Sequence, residues 1–199
     1  MDAGVTRASL LTRVRDPSDQ AAWREFEARY GDLILGYARA RGLQHADAED
    51  VRQGVLVKLS RTLRGFEYQP ARGRFRDYLR RVVRTVLIDE RSRPNALRNA
   101  VDGSMIEAVS TEDPDVPDVL WEREWTDHHY RRALRTIRET FEPRSVELFE
   151  RLVAGEDLAA LAARFGTSEQ AVHKVKQRIR ERMKELIAAQ VREEDGRDA

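Results

Sequence analysis

The chain has 199 residues, 36% of them charged and 41% hydrophobic, with a formal net charge of +1, a composition that suits amphipathic helices better than a large sheet core. It lacks cysteine and has four scattered histidines, which excludes disulfides and thiolate metal sites and predicts no metal and no cofactor. No stretch reaches the roughly 18 consecutive apolar residues of a membrane span, and the N-terminal residues lack signal-peptide features, so we expect a cytoplasmic protein without membrane contact.

Charge is distributed very unevenly along the chain. Residues 1–101 contain 20 basic and 13 acidic side chains, residues 102–127 contain 1 and 9, and residues 128–199 contain 15 and 13. Two basic regions that flank an acidic one predict two modules joined by a linker. We therefore predict an all-α protein with two helical domains, residues 5–97 and 127–190, and an acidic linker at 98–126.

Three amphipathic helices are predicted in the first module. The first begins after Asp16-Pro17, with Asp19 behind them, and stops near Gly42. Its apolar stripe consists of Trp23, Phe26, Tyr30, Leu33, Ile34 and Tyr37. The second begins near Ala46 and carries Val51, Val55, Leu56, Leu59 and Leu63. The third runs from about Arg74 to Arg91 and carries Phe75, Tyr78, Leu79, Val82, Val83 and Val86. Three such stripes can close one core.

Regular structure is expected to resume near Leu120. The last third predicts four helices, at about 125–140, 144–153, 158–165 and 168–189, and contains a helix-turn-helix motif. In LAALAARFGTSEQAVHKVKQ, Ala162 is the small residue at the helix crossing and Gly166 supplies the turn. Ser168 is the expected cap of the second helix. The expected packing residues are Leu161, Phe165, Val172 and Val175. Thr167 departs from the pattern, in which an apolar residue commonly follows the glycine.

The second helix of this motif has a basic outward face. Its inward series, Val172, Val175, Ile179, Met183 and Leu186, leaves polar residues outside that can contact base edges and phosphates in a major groove. These outward residues are His173, Lys174, Gln177, Arg178 and Arg180. The alternative is a solvated basic helix in an ordinary bundle.

Residues 61–93 interleave ten arginines with aromatic residues. This combination suits single-stranded nucleic acid, in which guanidinium groups meet phosphates and unpaired bases stack on rings. For Phe75 a place in the core is the favoured interpretation, whereas Tyr68 lies in a candidate loop with Pro70 and Gly73.

The two modules together resemble the sigma-70 family of RNA polymerase sigma factors, in particular its extracytoplasmic-function subfamily. WREFEARYGDLILGYARARGLQHADAEDVRQGVLVKLSRTLRGF and GRFRDYLRRVVRTVLIDERSR are similar to region 2, and RSVELFERLVAGEDLAALAARFGTSEQAVHKVKQRIRERMKEL is similar to region 4. The resemblance implies a monomeric, non-enzymatic subunit that binds core RNA polymerase and promoter DNA, and it leaves an anti-sigma factor open as a further partner.

The resemblance also implies residue roles. The residues that match core-polymerase-binding positions are Asp47, Asp50, Gln53 and Leu56, although helix capping is an alternative role for Asp47. Those implied in recognising and melting the −10 element are Tyr68, Arg72, Arg74, Arg81 and Arg84. Those implied in reading the −35 element are Ser168, His173, Lys174, Gln177 and Arg178. The acidic linker is implied to pass through a polymerase channel, and an ordinary tether is the alternative. Gly54 departs from the family, which often has an acid there.

Two other classes of function compete with this interpretation. A conventional helix-turn-helix regulator with an N-terminal interaction domain would explain the C-terminal third, but it would leave the arginine-aromatic segment without a role and would normally need a symmetric dimer. An enzyme is disfavoured because the sequence has no phosphate-binding glycine loop, nucleophile motif or metal-ligand spacing. The adjacent His128 and His129 are expected to face different sides of a helix and to form no shared site.

Overall fold

The structure is a computed structural model that describes residues 10–65, 75–91 and 118–194, and every regular element in these ranges is helical. The all-α prediction is therefore confirmed. The elements are α1 (Leu10–Arg13), α2 (Gln20–Ala40), α3 (His45–Thr62), a short 3-10 turn (Leu63–Gly65), α4 (Phe75–Arg91), α5 (Val119–Thr140), α6 (Pro143–Val153), α7 (Leu158–Arg164) and α8 (Glu169–Glu194). None of the helices in the described ranges is long and apolar enough to cross a membrane.

The described residues fall into two compact units. The first ends at Thr126 and also includes Glu193 and Glu194, and the second spans Asp127–Arg192. The limits 5–97 and 127–190 for the two functional domains stay a prediction. Tyr68, Arg72, Arg74 and residues 98–117 of the predicted linker lie outside the described residues.

The ends of α2 are set by local chemistry, as its sequence predicts. The Asp19 carboxylate accepts a hydrogen bond from the Ala22 amide at 2.8 Å, which satisfies one of the free donors of the first turn. The helix ends before Gly42, whose φ of +91° lies in the region that favours glycine.

The core of the first unit is aromatic. Phe26 and Tyr30 have ring centroids 4.7 Å apart, and Phe75 of α4 meets Phe26 edge-on at 6.1 Å. The predicted apolar stripes of α2, α3 and α4 are buried, except that Trp23, Leu56 and Tyr78 are only partly buried. Leu87, which was not predicted, is also fully buried. Phe75 is 1% exposed, so its assignment to the core is confirmed.

The end of the predicted linker is helical and belongs to this core. The linker is predicted to end at residue 126, with regular structure resuming near Leu120 and a helix from about Trp125. The helix α5 begins at Val119, so the return of regular structure near Leu120 is confirmed and the helix starts earlier than about Trp125. Trp121 is fully buried and meets Tyr37 edge-on at 5.1 Å, and Trp125 is 6% exposed. The acidic composition of this part is compatible with a helix, because Glu122 and Glu124 lie in the first turns of α5, where acids favour the positive end of the helix.

Asp118 anchors the start of α5 to α2 through a buried ion pair. One carboxylate oxygen accepts hydrogen bonds from the Leu120 and Trp121 amides at 3.0 and 3.1 Å. The other accepts from the Arg41 guanidinium at 2.5 Å and from the Tyr37 hydroxyl. Burial raises the pKa of Asp118, but the hydrogen bonds from Tyr37 and Arg41 outweigh it, so its pKa lies below the ordinary value. Burial, reinforced by the hydrogen bond to this carboxylate, raises the pKa of Tyr37.

Gly54 lies where α3 approaches α4 closely. A Cβ atom at residue 54 would lie 2.8 Å from Cγ1 of Val86, which is 8% exposed and stiff because it is β-branched. The departure from the family at this position therefore has a structural account, since a larger side chain would need the two helices to move apart.

We expect Gly54→Ala to destabilise the first unit. Overpacking costs about 1–3 kcal/mol, and the gain in helix propensity offsets about 1 kcal/mol of it. In a Val86→Ala background the steric conflict disappears, and the same change should become stabilising. Urea unfolding of the full chain measures both effects.

Gly36→Ala is the matched control for this comparison. The added methyl would meet the far end of the flexible Glu124 side chain, which can move aside. An equal effect of Gly54→Ala in the presence and absence of the Val86 side chain would contradict the steric argument.

The second unit has two small adjoining clusters of buried side chains. One joins α5, α6 and α8 and contains Ala133, Ile137, Val146, Phe149, Ile179 and Met183. The other joins α6, α7 and the start of α8 and contains Leu148, Leu161, Ala162, Phe165 and Val172. The second cluster holds the two helices of the predicted helix-turn-helix against α6.

The expectation that His128 and His129 face different sides of the helix is wrong. Both side chains are 3% exposed, their ring centroids lie 5.3 Å apart, and His129 Nδ1 is 2.9 Å from Gln190 Oε1. Adjacent residues are separated by 100° around a helix. The buried sector of α5 is wide enough at this point to include both.

Candidate nucleic-acid interface

The helix-turn-helix has the local geometry that its sequence predicts. Gly166 adopts a φ of +55°, and the Thr167 amide donates to the Ala162 carbonyl at 2.9 Å across the turn. Ser168 Oγ accepts from the Ala171 amide at 3.2 Å and so caps α8. Leu161 and Val172 are fully buried, Ala162 and Phe165 are 6% and 9% exposed, and Val175 is partly buried. The predicted turn, cap and packing residues are therefore confirmed.

Thr167 is compatible with this turn because its contribution comes from the backbone. Its side chain is exposed, and its amide makes the hydrogen bond to Ala162 that any residue other than proline could make. The departure at this position therefore leaves the turn geometry intact.

Arg144, which was not predicted from the sequence, stabilises the turn of the helix-turn-helix from the neighbouring helix α6. This α6 side chain donates a hydrogen bond to the carbonyl oxygen of Phe165, the last residue before Gly166. Its guanidinium also lies 5.9 Å from the centroid of the Phe165 ring. The carbonyl at a helix end is a natural acceptor for a cation. No local sequence signal pairs residues 21 positions apart.

The outward face of α8 is basic over its first half. The predicted residues Ser168, His173, Lys174, Gln177 and Arg178 are all exposed, as is Arg180. From His173 to Arg180 the helix contains four Lys or Arg residues and no acid. Within the described ranges, no carboxylate lies within 4.0 Å of Lys174, Arg178 or Arg180.

The charge pattern changes further along α8. Arg182 pairs with Glu185 and Lys184 pairs with Glu181, each at 2.9 Å. Cations that already have an acidic neighbour contribute little to a positive field, whereas those of the first half are available to an anion. The first half of α8 is therefore the candidate surface for a polyanion, and Ser168, whose Oγ accepts the capping bond, can still donate its hydroxyl hydrogen there.

Of the five residues of the first unit that are predicted to contact the −10 element, Arg81 and Arg84 lie in the described part of the chain. Arg81 and Arg84 lie three residues apart on one side of α4, Arg81 exposed and Arg84 half-buried. Arg81 Nε donates to the Asp77 carbonyl at 3.4 Å.

Arg76, a member of the arginine-aromatic segment, has a packing role instead. It pairs with Glu122 and lies 5.2 Å from the centroid of the Trp125 ring, so it holds α4 against the first turns of α5. An arginine in this segment is therefore not by itself evidence of a nucleic-acid contact.

A separate stripe on α3 combines polar and apolar groups. Asp50, Gln53 and Val57 follow one another at intervals of three and four residues and are all exposed, Val57 by 49%. The predicted Asp47 and Leu56 are half-buried and lie at opposite margins of this face. We name Asp50, Gln53 and Val57 the α3 stripe. Val57 was not predicted, because it lies outside the apolar series of α3 and a single exposed apolar residue gives no sequence signal of a contact.

Capping does not account for the polar members of the α3 stripe. The residue at the N-cap of α3 is Gln44, which makes no side-chain capping hydrogen bond, and Asp50 and Gln53 lie beyond the first turn. Asp47 is the acid of the first turn, where it favours the helix dipole. The described residues contain no group of three His, Asp or Glu side chains that could hold a metal ion.

Comparisons with known proteins relate the chain to transcription initiation proteins. A model of Sigma-70 region 2 matches residues 28–96. The ECF RNA polymerase sigma factor SigE of Mycolicibacterium smegmatis is 28% identical over 178 residues, which cover 88% of this chain and 67% of the relative. Among solved structures, CnrH in complex with the cytosolic domain of CnrY is 21% identical, with a TM-score of 0.35 over 90% of this chain and 96% of that chain. The family model takes in α3 and α4, which carry the α3 stripe and the α4 arginines.

Proposed function

We propose that the chain is a sigma factor of the extracytoplasmic-function subfamily of the sigma-70 family, which its similarity to Sigma-70 region 2 and to SigE supports, and that it binds core RNA polymerase and directs initiation at specific promoters. The observation that carries this proposal is the basic first half of α8, held outward by a capped helix-turn-helix and free of acidic partners within the described residues. Such a helix places Gln and Arg side chains where they can make bidentate contacts to base edges in a major groove.

In this proposal the second unit reads duplex DNA at the −35 element. Gln177 and Arg178 are assigned to base edges, and Lys174 and Ser168 to phosphates, with His173 beside them. Phosphate contacts fix the register of the helix on the duplex, and base contacts supply the specificity.

The first unit is proposed to bind core polymerase through α3 and the −10 element through the segment around α4. Asp50 and Gln53 are the central polar residues of the polymerase contact, with Asp47 and Leu56 at its margins and Val57 as an exposed apolar anchor. Tyr68, Arg72, Arg74, Arg81 and Arg84 are proposed to capture the melted strand. An anti-sigma partner stays a prediction of the family resemblance.

We expect Asp50→Ala and Gln53→Ala to weaken binding to core polymerase and leave the fold intact. Exposed polar side chains contribute only about 0.5 kcal/mol to folding, whereas loss of an interface contact can cost over about 1 kcal/mol, or more than about fivefold in affinity. Pull-down with core polymerase from the native host, followed by run-off transcription, measures both steps.

Asp32→Ala is the control, because Asp32 is also an exposed polar residue of the first unit but lies on α2, outside the α3 stripe. Native-like polymerase affinity in both test variants would remove Asp50 and Gln53 from the interface. A chain that binds duplex DNA but supports no run-off transcript with core polymerase would be a conventional regulator, contrary to the proposal.

A further inference from the structure

Arg178 is distinguished from the other exposed cations of α8 by what lies under it. Its guanidinium is 5.4 Å from the centroid of the Phe141 ring. Arg180, two residues further along, is equally exposed, but no aromatic ring in the described ranges lies under its guanidinium. The two arginines therefore differ in how strongly their side chains are held before any DNA arrives.

Phe141 is well placed to act as a fixed platform. It follows the last turn of α5, and its amide donates to the Ile137 carbonyl at 2.9 Å. Its half-buried side chain packs against the cluster that contains Ile137, Phe149, Ile179 and Met183. The ring is thus anchored on its inner side by the core and meets Arg178 on its outer side.

A guanidinium held on an aromatic face keeps its charge and its donors. The attraction comes from the ring quadrupole, so it uses the face of the guanidinium and leaves the N–H groups at its edge directed outward. A side chain that is held in this way loses less rotamer entropy when it binds an anion.

We propose that Phe141 is a positioning residue for DNA binding, which fixes the Arg178 guanidinium on the outward face of α8 in an orientation that meets a phosphate or base edge. This inference rests on the proposed function of α8. It assigns a role to a residue outside the helix-turn-helix, at the turn between α5 and α6.

The test uses the full chain and fluorescence anisotropy with a short duplex of random sequence at one fixed low salt concentration, because this binding is electrostatic and salt-dependent. Phe141→Leu retains an apolar side chain but removes the ring. We expect it to weaken binding by about two- to fivefold, the value of an exposed cation–π contact, whereas Phe141→Tyr should retain wild-type affinity.

Double variants separate positioning from packing. In an Arg178→Ala background, Phe141→Leu should have no further effect on affinity, whereas in an Arg180→Ala background it should have its full effect. If Phe141→Leu weakens binding equally with and without Arg178, Phe141 acts through the fold of the unit and the inference is wrong. Urea unfolding of each variant verifies that the fold persists at the temperature of measurement.

The inference and the proposed function fail in different ways. If Lys174→Ala and Arg178→Ala both bind the duplex like wild type, α8 is not the DNA-binding face and the proposed function of the second unit is wrong, and the inference with it. If these two variants lose affinity and Phe141→Leu does not, the proposed function stands and the positioning role alone is overturned.

Discussion

Asp118→Ala should lower the free energy of unfolding of the first unit by about 3 kcal/mol or more, because it removes the carboxylate oxygen that accepts hydrogen bonds from both Arg41 and Tyr37, and a hydrogen bond to a charged group contributes about 1.5–3 kcal/mol. The side chains of Arg41 and Asp118 are 5% and 8% exposed, so these hydrogen bonds are shielded from bulk water. The same substitution removes the acceptor of two backbone amides at the start of α5, which by itself costs about 1 kcal/mol. Urea unfolding of the full chain, followed by tryptophan fluorescence, measures the change.

Asp157→Ala is the matched control for Asp118→Ala. Asp157 also caps a helix, accepting from the Ala160 amide at 3.0 Å, but it is exposed and lacks an ion pair with a buried arginine. Its loss should therefore cost only about 1 kcal/mol. Equal effects of the two substitutions would show that the ion pair contributes nothing beyond the cap. Asp118→Asn separates the two contributions, since the amide oxygen can still accept the capping bonds.

The ion pair also predicts the direction of a pH effect. The pKa of Asp118 lies below its usual 3.8 in the folded state, so the unfolded chain binds its proton more readily than the folded chain does. The stabilisation by Asp118 is therefore fully present above the unfolded pKa and is lost as the pH falls through the folded pKa. Wild type and Asp118→Asn should accordingly converge in stability in acid below pH about 4.

Trp121→Ala should destabilise the first unit by about 3–5 kcal/mol, the usual cost of removing a large buried aromatic side chain. Trp121 is fully buried in a cluster with Tyr37 and Trp125, with ring centroids 5.1 and 5.8 Å away. Val119→Ala, two residues earlier on α5, is the control, because Val119 is 77% exposed and its truncation should change stability by less than about 0.5 kcal/mol. Urea unfolding followed by circular dichroism avoids dependence on the fluorescence of the removed residue.

This pair of substitutions tests whether residues 119–126 are part of the first unit in solution. A loss for Trp121→Ala no larger than that for Val119→Ala would mean that the start of α5 does not pack there. The expected large loss would instead mean that the stable first module extends beyond residue 97, which is the limit predicted from the sequence. The reason is that Trp121 packs against the aromatic face of α2.

Local features of this protein could be read from its sequence. The capping of α2 by Asp19, its stop at Gly42 and the turn at Gly166 depend on residues within a few positions of one another. The same holds for the division of α8 into an inward apolar series and an outward basic series, because a period of 3.6 residues assigns each side chain to a face. The all-α class and the helix-turn-helix followed from these local rules.

Only the tertiary structure decided which of these faces meet and which charged groups they enclose. Asp118 is an acidic linker residue by composition, yet its partner Arg41 lies 77 positions earlier and holds it in the core. Gly54 beside Val86, Arg76 over Trp125 and Arg178 over Phe141 are pairings of the same kind. Periodicity gives the direction of a side chain around its own helix but not the identity of the residue opposite, which depends on how helices distant in sequence pack together.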